Sequence, residues 1–189
     1  LYVAIADVAR YIDEGSHLDS EAFDRGTSVY FSQRVIPMLP EELSNDLCSL
    51  KPNEDRFCIV CKTTVSEDGS LTDTSFFEAI INSKSRLTYP TVTREIEKKQ
   101  FKKPYANSLS VLLKIYRRLK KNRIKRGSLE LEVPTYIPKV ENHKIVKFID
   151  SPREISHMMI EEFMLAANIS AAELCLKHKI PSVFRVHPK

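Results

Sequence analysis

Apolar positions in this 189-residue chain fall into three patterns: strict alternation, recurrence every three to four residues, and short continuous runs. Leu1-Tyr2-Val3-Ala4-Ile5-Ala6 is a continuous run and reads as a buried strand, with Asp7 at its exit and an amphipathic turn from Val8 to Ile12. After the break at Gly15-Ser16, a short helix is predicted from Asp19 to about Arg25, capped by Asp or Ser and stopped by Gly26. Asp55 to Ser66 and Leu71 to Leu87 are β-prone and are separated by Glu67-Asp68-Gly69-Ser70, so a long hairpin is expected. Pro90 then ends the second arm and places Tyr89 at a strand exit. Leu109, Leu112, Leu113, Tyr116 and Leu119 mark an amphipathic helix over roughly Ala106 to Lys121, ended by Arg126-Gly127. Ser128 to Val133 reads as a further strand, and Lys139 to Asp150 as a hairpin turning at Asn142-His143. Ser151, Pro152 and Glu154 have capping-box spacing, and the helix they open is apolar nearly all round from Ile155 to Leu176. That helix should run through the middle of the domain. The predicted class is α+β: a mixed, largely antiparallel sheet with a long hairpin, packed against helices that include a buried C-terminal one.

The least periodic stretch is residues 26–50, GTSVYFSQRVIPMLPEELSNDLCSL. Pro37 and Pro40 fix their own φ and push Ile36 and Leu39 towards extended conformations, so Val35 to Pro40 is a rigid connector. Ahead of it Val29-Tyr30-Phe31 is a short β-prone run, and behind it Pro40-Glu41-Glu42-Leu43 opens like a helix. On this pattern Tyr30 either packs beneath the proline loop or stands at its mouth as a binding ring. Tyr89 is open to the same two readings. Glu161 and Glu162 interrupt an otherwise apolar helix, and a buried carboxylate needs a partner: an arginine, a tyrosine hydroxyl or a ribose hydroxyl. Asp7, after a strand, reads as a turn or cap residue.

Composition narrows the class. Hydrophobic residues make up 42% and charged residues 29%, with no apolar run long enough to span a membrane, so a soluble globular protein with no membrane partner is expected. The net charge of +4 conceals an asymmetry: Lys98 to Arg126 holds twelve of the 29 bases and none of the 25 acids. Such a run either solvates a helix face or attracts a polyanion. Cys58-x-x-Cys61 lies within a predicted strand, where residues three apart face opposite sides, so the four cysteines read as structural thiols of a reducing cytoplasm. Five histidines show no metal-ligand spacing, and four glycines form no phosphate loop.

Leu1 to Ile12, residues 26–50, the SRLTY run at Ser85 to Tyr89 and the stretch from Ile155 to Asn168, with its IEEFMLAAN run, together resemble the catalytic (RNB) domain of the ribonuclease II/R family, nearest its ribonuclease R branch. The resemblance covers essentially the whole chain and implies a processive, hydrolytic 3′-to-5′ exoribonuclease that releases nucleoside 5′-monophosphates from single-stranded or structured RNA. It implies that Tyr30 stacks on a base near the RNA 3′ end, that Tyr89 helps contact the ribose near the scissile end and that Glu161 is tied to the RNA site; Glu162 and Asn168 are read as structural. In some members an aromatic near the position of Leu131 closes a second jaw on the terminal base; here that residue is leucine. The family's Mg²⁺ is held by aspartates that the resemblance places just before Leu1, and a helper arginine falls beyond Lys189. The segment is therefore expected to be a partial domain 1–189, without catalytic or metal-binding residues and inactive by itself. The flanking cold-shock and S1-type domains would lie outside it, and the parent enzyme would be a cytoplasmic monomer. The alternative is a catalytically inactive RNA-binding or structural remnant of the family.

Overall fold

The computed structural model describes residues 1–31, 33–128, 135–142, 144–151 and 153–184. The strand expected over Ser128–Val133 falls, apart from Ser128, outside these residues, as does Leu131. The class is α+β with antiparallel sheets, as the alternation of apolar positions predicts.

The main sheet has the order β1-β4-β5, with β1 at Tyr2–Ala6, β4 at Asp55–Val65 and β5 at Leu71–Asn82. Both pairings are antiparallel, running from Tyr2↔Lys62 to Ala6↔Cys58 and from Asp55↔Asn82 to Val65↔Leu71. β1 is an edge strand rather than the buried one its apolar run suggests, and Tyr2 and Ile5 are exposed. The central strand β4 is covered on both faces. Arg56, Cys58 and Val60 are buried on one side and Cys61 and Thr63 on the other, the period-two arrangement that separates the two cysteines. Burial pushes the thiols of Cys48, Cys58 and Cys61 up, which keeps them unreactive.

Helix α1 spans His17–Arg25. Ser16 caps it by accepting from the Asp19 amide at 3.1 Å, and Gly26 ends it at φ 66°, a left-handed conformation that glycine adopts without strain. The strands β2 (Val29–Tyr30) and β3 (Val35–Ile36) form a two-residue hairpin. The acids after Pro40 then open a π-helical turn over Glu42–Leu47, closed by the Cys48 amide donating to the Leu43 carbonyl at 2.8 Å.

β5 stops at Asn82, earlier than its composition suggests, and Tyr89 does not leave a strand. It opens helix α2 (Tyr89–Glu97), with Thr88 at the cap and Pro90 in the first turn, where a missing N–H costs nothing. Helix α3 covers Ala106–Lys125. A second hairpin, β6 (Tyr136–Glu141) with β7 (Lys144–Asp150), precedes helix α4 (Ile155–Lys177). The cap of α4 is Glu154 rather than Ser151, because the Ser151 amide instead donates to the Thr135 carbonyl at 2.8 Å beside the β6–β7 hairpin.

The core lies between α2, α3 and α4. It joins Val92 and Ile96 to Leu109, Leu113, Tyr116 and Leu119 and to Met159, Phe163 and Ala166. α4 is thus central, but only one of its faces is buried. Ile160 and Met164 are exposed on another face, so its all-round apolarity does not mean burial all round. Among the described residues, no helix is long and apolar enough to cross a membrane.

Candidate nucleic-acid interface

Helical spacing places His157, Glu161, Met164 and Asn168 on one side of α4, at i, i+4, i+7 and i+11. Tyr89, at the start of α2, completes this surface, and together with Ile160 and Leu165 these residues line a shallow groove of ≈ 290 Å³. The Tyr89 and His157 rings stack, with centroids 3.9 Å apart and planes inclined by 21°. Tyr89 is half-exposed, so its ring does not belong to the core.

The polar junction under Tyr89 explains how two helices distant in sequence present one surface. Ser156, buried at the start of α4, donates to the Tyr89 carbonyl at 3.0 Å and lies 2.8 Å from the Thr93 hydroxyl. Thr93 in turn donates to the Glu154 carboxylate at 3.1 Å. Each of these polar groups is hydrogen-bonded, so burial at the helix junction carries no unpaired donor or acceptor there.

The adjacent glutamates divide sharply. Glu162 is buried and pairs with Arg123 of α3 at 2.8 Å. Glu161 faces the groove, pairs with Arg153 and lies 3.8 Å from Arg123. Its partner is therefore arginine, the first of the three types its environment calls for. With two guanidiniums nearby, the carboxylate can stand beside an anionic ligand without a large repulsion, and as an acceptor-only group it suits a hydroxyl donor.

Tyr30 is placed differently. It pairs with Val35 in the β2–β3 hairpin and is 77% exposed, so it does not pack beneath the proline loop. The loop is held instead by Arg25 donating to the Pro37 carbonyl at 2.9 Å and by the Met38 amide donating to the Ser28 hydroxyl at 2.9 Å. The groove brings Tyr89 and Glu161 together, and Tyr30 is not among its lining residues.

Two groove residues escape a reading based on residue type. Asn168, expected to be structural, is exposed and lines the groove. His157 has no metal-ligand spacing, and the signal for its place here is its position four residues before Glu161 on one helix face. In the basic run, Lys114, Arg117, Lys121 and Lys125 are exposed along α3, while Arg118 lies 3.9 Å from Glu67. Asp7 is buried at the exit of β1, and its amide continues the ladder by donating to the Phe57 carbonyl at 3.0 Å. Among the described residues, no three His, Cys, Asp or Glu side chains come together as a metal-ligand set.

A family model described as the RNB domain matches residues 1–189. Ribonuclease R of Escherichia coli is 46% identical over 195 residues, and ribonuclease R of Vibrio parahaemolyticus is 44% identical over 192. The chain is covered wholly or almost wholly in both matches but spans only 24% and 23% of those proteins, about a quarter of their length. Among solved structures, Mycoplasma genitalium RNase R in complex with ribose methylated single-stranded RNA superposes with a TM-score of 0.94 at 34% identity, covering 99% of this chain and 30% of that one.

Proposed function

The chain belongs to the RNB domain family, and from that premise we propose that it forms the RNA-gripping part of a processive, hydrolytic 3′-to-5′ exoribonuclease yielding nucleoside 5′-monophosphates. The observation that carries the reading is the shared groove of Tyr89 and Glu161, two motif residues that are 72 positions apart in the chain and belong to different helices. A phenol can donate or accept and a carboxylate accepts only, so together they can hold a ribose hydroxyl, the group that distinguishes RNA from DNA. The apolar side chains of Ile160, Met164 and Leu165 suit the face of a base or sugar. Tyr30 supplies a stacking ring to a neighbouring base on the same strand, outside the groove itself. The similarity to an RNase R solved with ribose methylated single-stranded RNA supports single-stranded RNA as the ligand.

The motif residues of this chain offer ring and hydroxyl contacts to RNA and take no part in the Mg²⁺ chemistry that the family reading implies. The segment by itself therefore binds without cleaving; robust Mg²⁺-dependent release of mononucleotides by it alone would overturn that division.

The reading is tested in the whole protein. Glu161→Ala and Tyr89→Phe should each lower the preference for RNA over DNA by roughly tenfold, the scale of one lost charge-assisted or neutral hydrogen bond. Tyr30→Ala should change the length of the residual oligonucleotide. If all three leave substrate preference and end product unchanged, the chain does not grip RNA in this way, and the inactive structural remnant becomes the better account.

A further inference from the structure

His157 stacks on Tyr89 but has no part in the ribose contact proposed above. We propose that it is a positioning residue for Tyr89, holding the phenol at the angle from which its hydroxyl reaches a ribose; the inference rests on the ribose-contacting role assigned to the groove above.

The geometry ties Tyr89 to the start of α4 at both its ends. The main chain is held by Ser156, which donates to the Tyr89 carbonyl at 3.0 Å. The side chain is held by the His157 ring, stacked at 3.9 Å and 21°. Adjacent residues of one helix therefore hold the backbone and the ring of the same tyrosine. The His157 Nδ1 stands 4.0 Å from the Glu154 carboxylate, which accepts from Thr93 at 3.1 Å.

The stack has a function that packing alone does not require. Tyr89 is 43% exposed and lies outside the core cluster, so without a flanking ring it would sample several χ1 rotamers, each aiming the hydroxyl differently. Stacking selects one of them. It does so at the rim of the groove that contains Glu161, one helical turn further along α4 from His157. A misplacement of about 1 Å at such a site is enough to lose a directed hydrogen bond.

The test uses the whole protein that carries this chain, with an oligoribonucleotide and its counterpart ending in 2′-deoxyriboses. His157→Ala should lower kcat/KM for the ribose-ended substrate by about three- to tenfold, the worth of one aromatic stack, and lower it less for the deoxy-ended substrate. His157→Phe, which keeps a stacking ring without ring nitrogens, should restore it. In the Tyr89→Phe background, where the hydroxyl is absent, His157→Ala should add nothing. An unchanged preference in His157→Ala, equal losses on both substrates, failure of His157→Phe to restore, or additivity with Tyr89→Phe would each overturn the assignment. Failure of the underlying ribose reading is distinguishable, because Tyr89→Phe by itself would then leave the preference unchanged.

Discussion

Tyr89 and Tyr30 occupy stretches of similar motif density, yet the surfaces that carry them are built on opposite principles. The groove of Tyr89 and Glu161 is the outer side of the helical core: α4 buries Met159, Phe163 and Ala166 on one face and presents His157, Glu161 and Asn168 on another. The hairpin of Tyr30 buries neither of its strands and is held by the Arg25 and Ser28 hydrogen bonds. A surface that is the reverse of a packed core takes its shape from the core. A surface held by a few local hydrogen bonds to an exposed loop can adjust to what it meets. Under the RNA-gripping role proposed above, the first would suit a fixed register at the ribose and the second a compliant contact with a base.

Stability measurements can break this comparison. Phe163→Ala should lower unfolding free energy by roughly 3–5 kcal/mol, the usual cost of emptying a buried aromatic site, whereas Tyr30→Ala should change it by less than about 0.5 kcal/mol. Comparable losses in denaturant titrations would mean that the hairpin is packed in solution and that the contrast is false.

A smaller effect is expected beneath the proline loop. Arg56 is 9% exposed and donates to the Ser49 carbonyl at 3.1 Å, to Asp46 at 3.0 Å and to Glu54, tying β4 to the π-helical turn that follows Pro40. Arg56→Ala should cost about 2 kcal/mol, the scale of lost charge-assisted hydrogen bonds, tempered because both carboxylates regain water. It should speed amide exchange at Leu43–Ser49 while leaving Ser156–Ser170 protected. Faster exchange in both segments would show that the turn and the groove helix unfold as one unit.

The smallest effect is that of acid. Lys51, first by its hydrogen bond and then by its charge, holds the Asp46 carboxyl below its ordinary 3.8, with Arg56 contributing less. A depressed folded-state value means stability that is present above about 3.8 and lost as pH falls through the lower value in the folded protein. Asp46 is exposed and screened, so Asp46→Asn should flatten the acid limb of the stability curve only slightly. A steep flattening would mean that the turn beneath the proline loop is more rigid than its exposed carboxylates suggest.

Much of this was legible from residue order, for reasons that can be stated locally. The Asp-Gly turn, the leucine spacing of α3 and the Ser16 and Gly26 caps depend on neighbours a few positions away. Glu162 and Glu161 could be marked as needing partners because apolar residues surround them on both sides. Which of the two would be buried was not readable from the run itself. They are adjacent and therefore about 100° apart on the helix, and only the docking of α3, with Arg123 beside Glu162, decides which points inward.

The same limit separates the two tyrosines. Sequence alone determined that each stands next to a proline-bounded break, because Pro restricts its own φ and the conformation of the residue before it. It did not determine that Tyr89 would begin a helix, since a Pro that ends a strand is equally at home in the first turn of a helix. Nor could it bring Tyr89 to His157 or keep Tyr30 outside the groove. Contacts between residues 68 positions apart depend on how three helices pack, and that is settled by the shape of the whole core rather than by any stretch of chain.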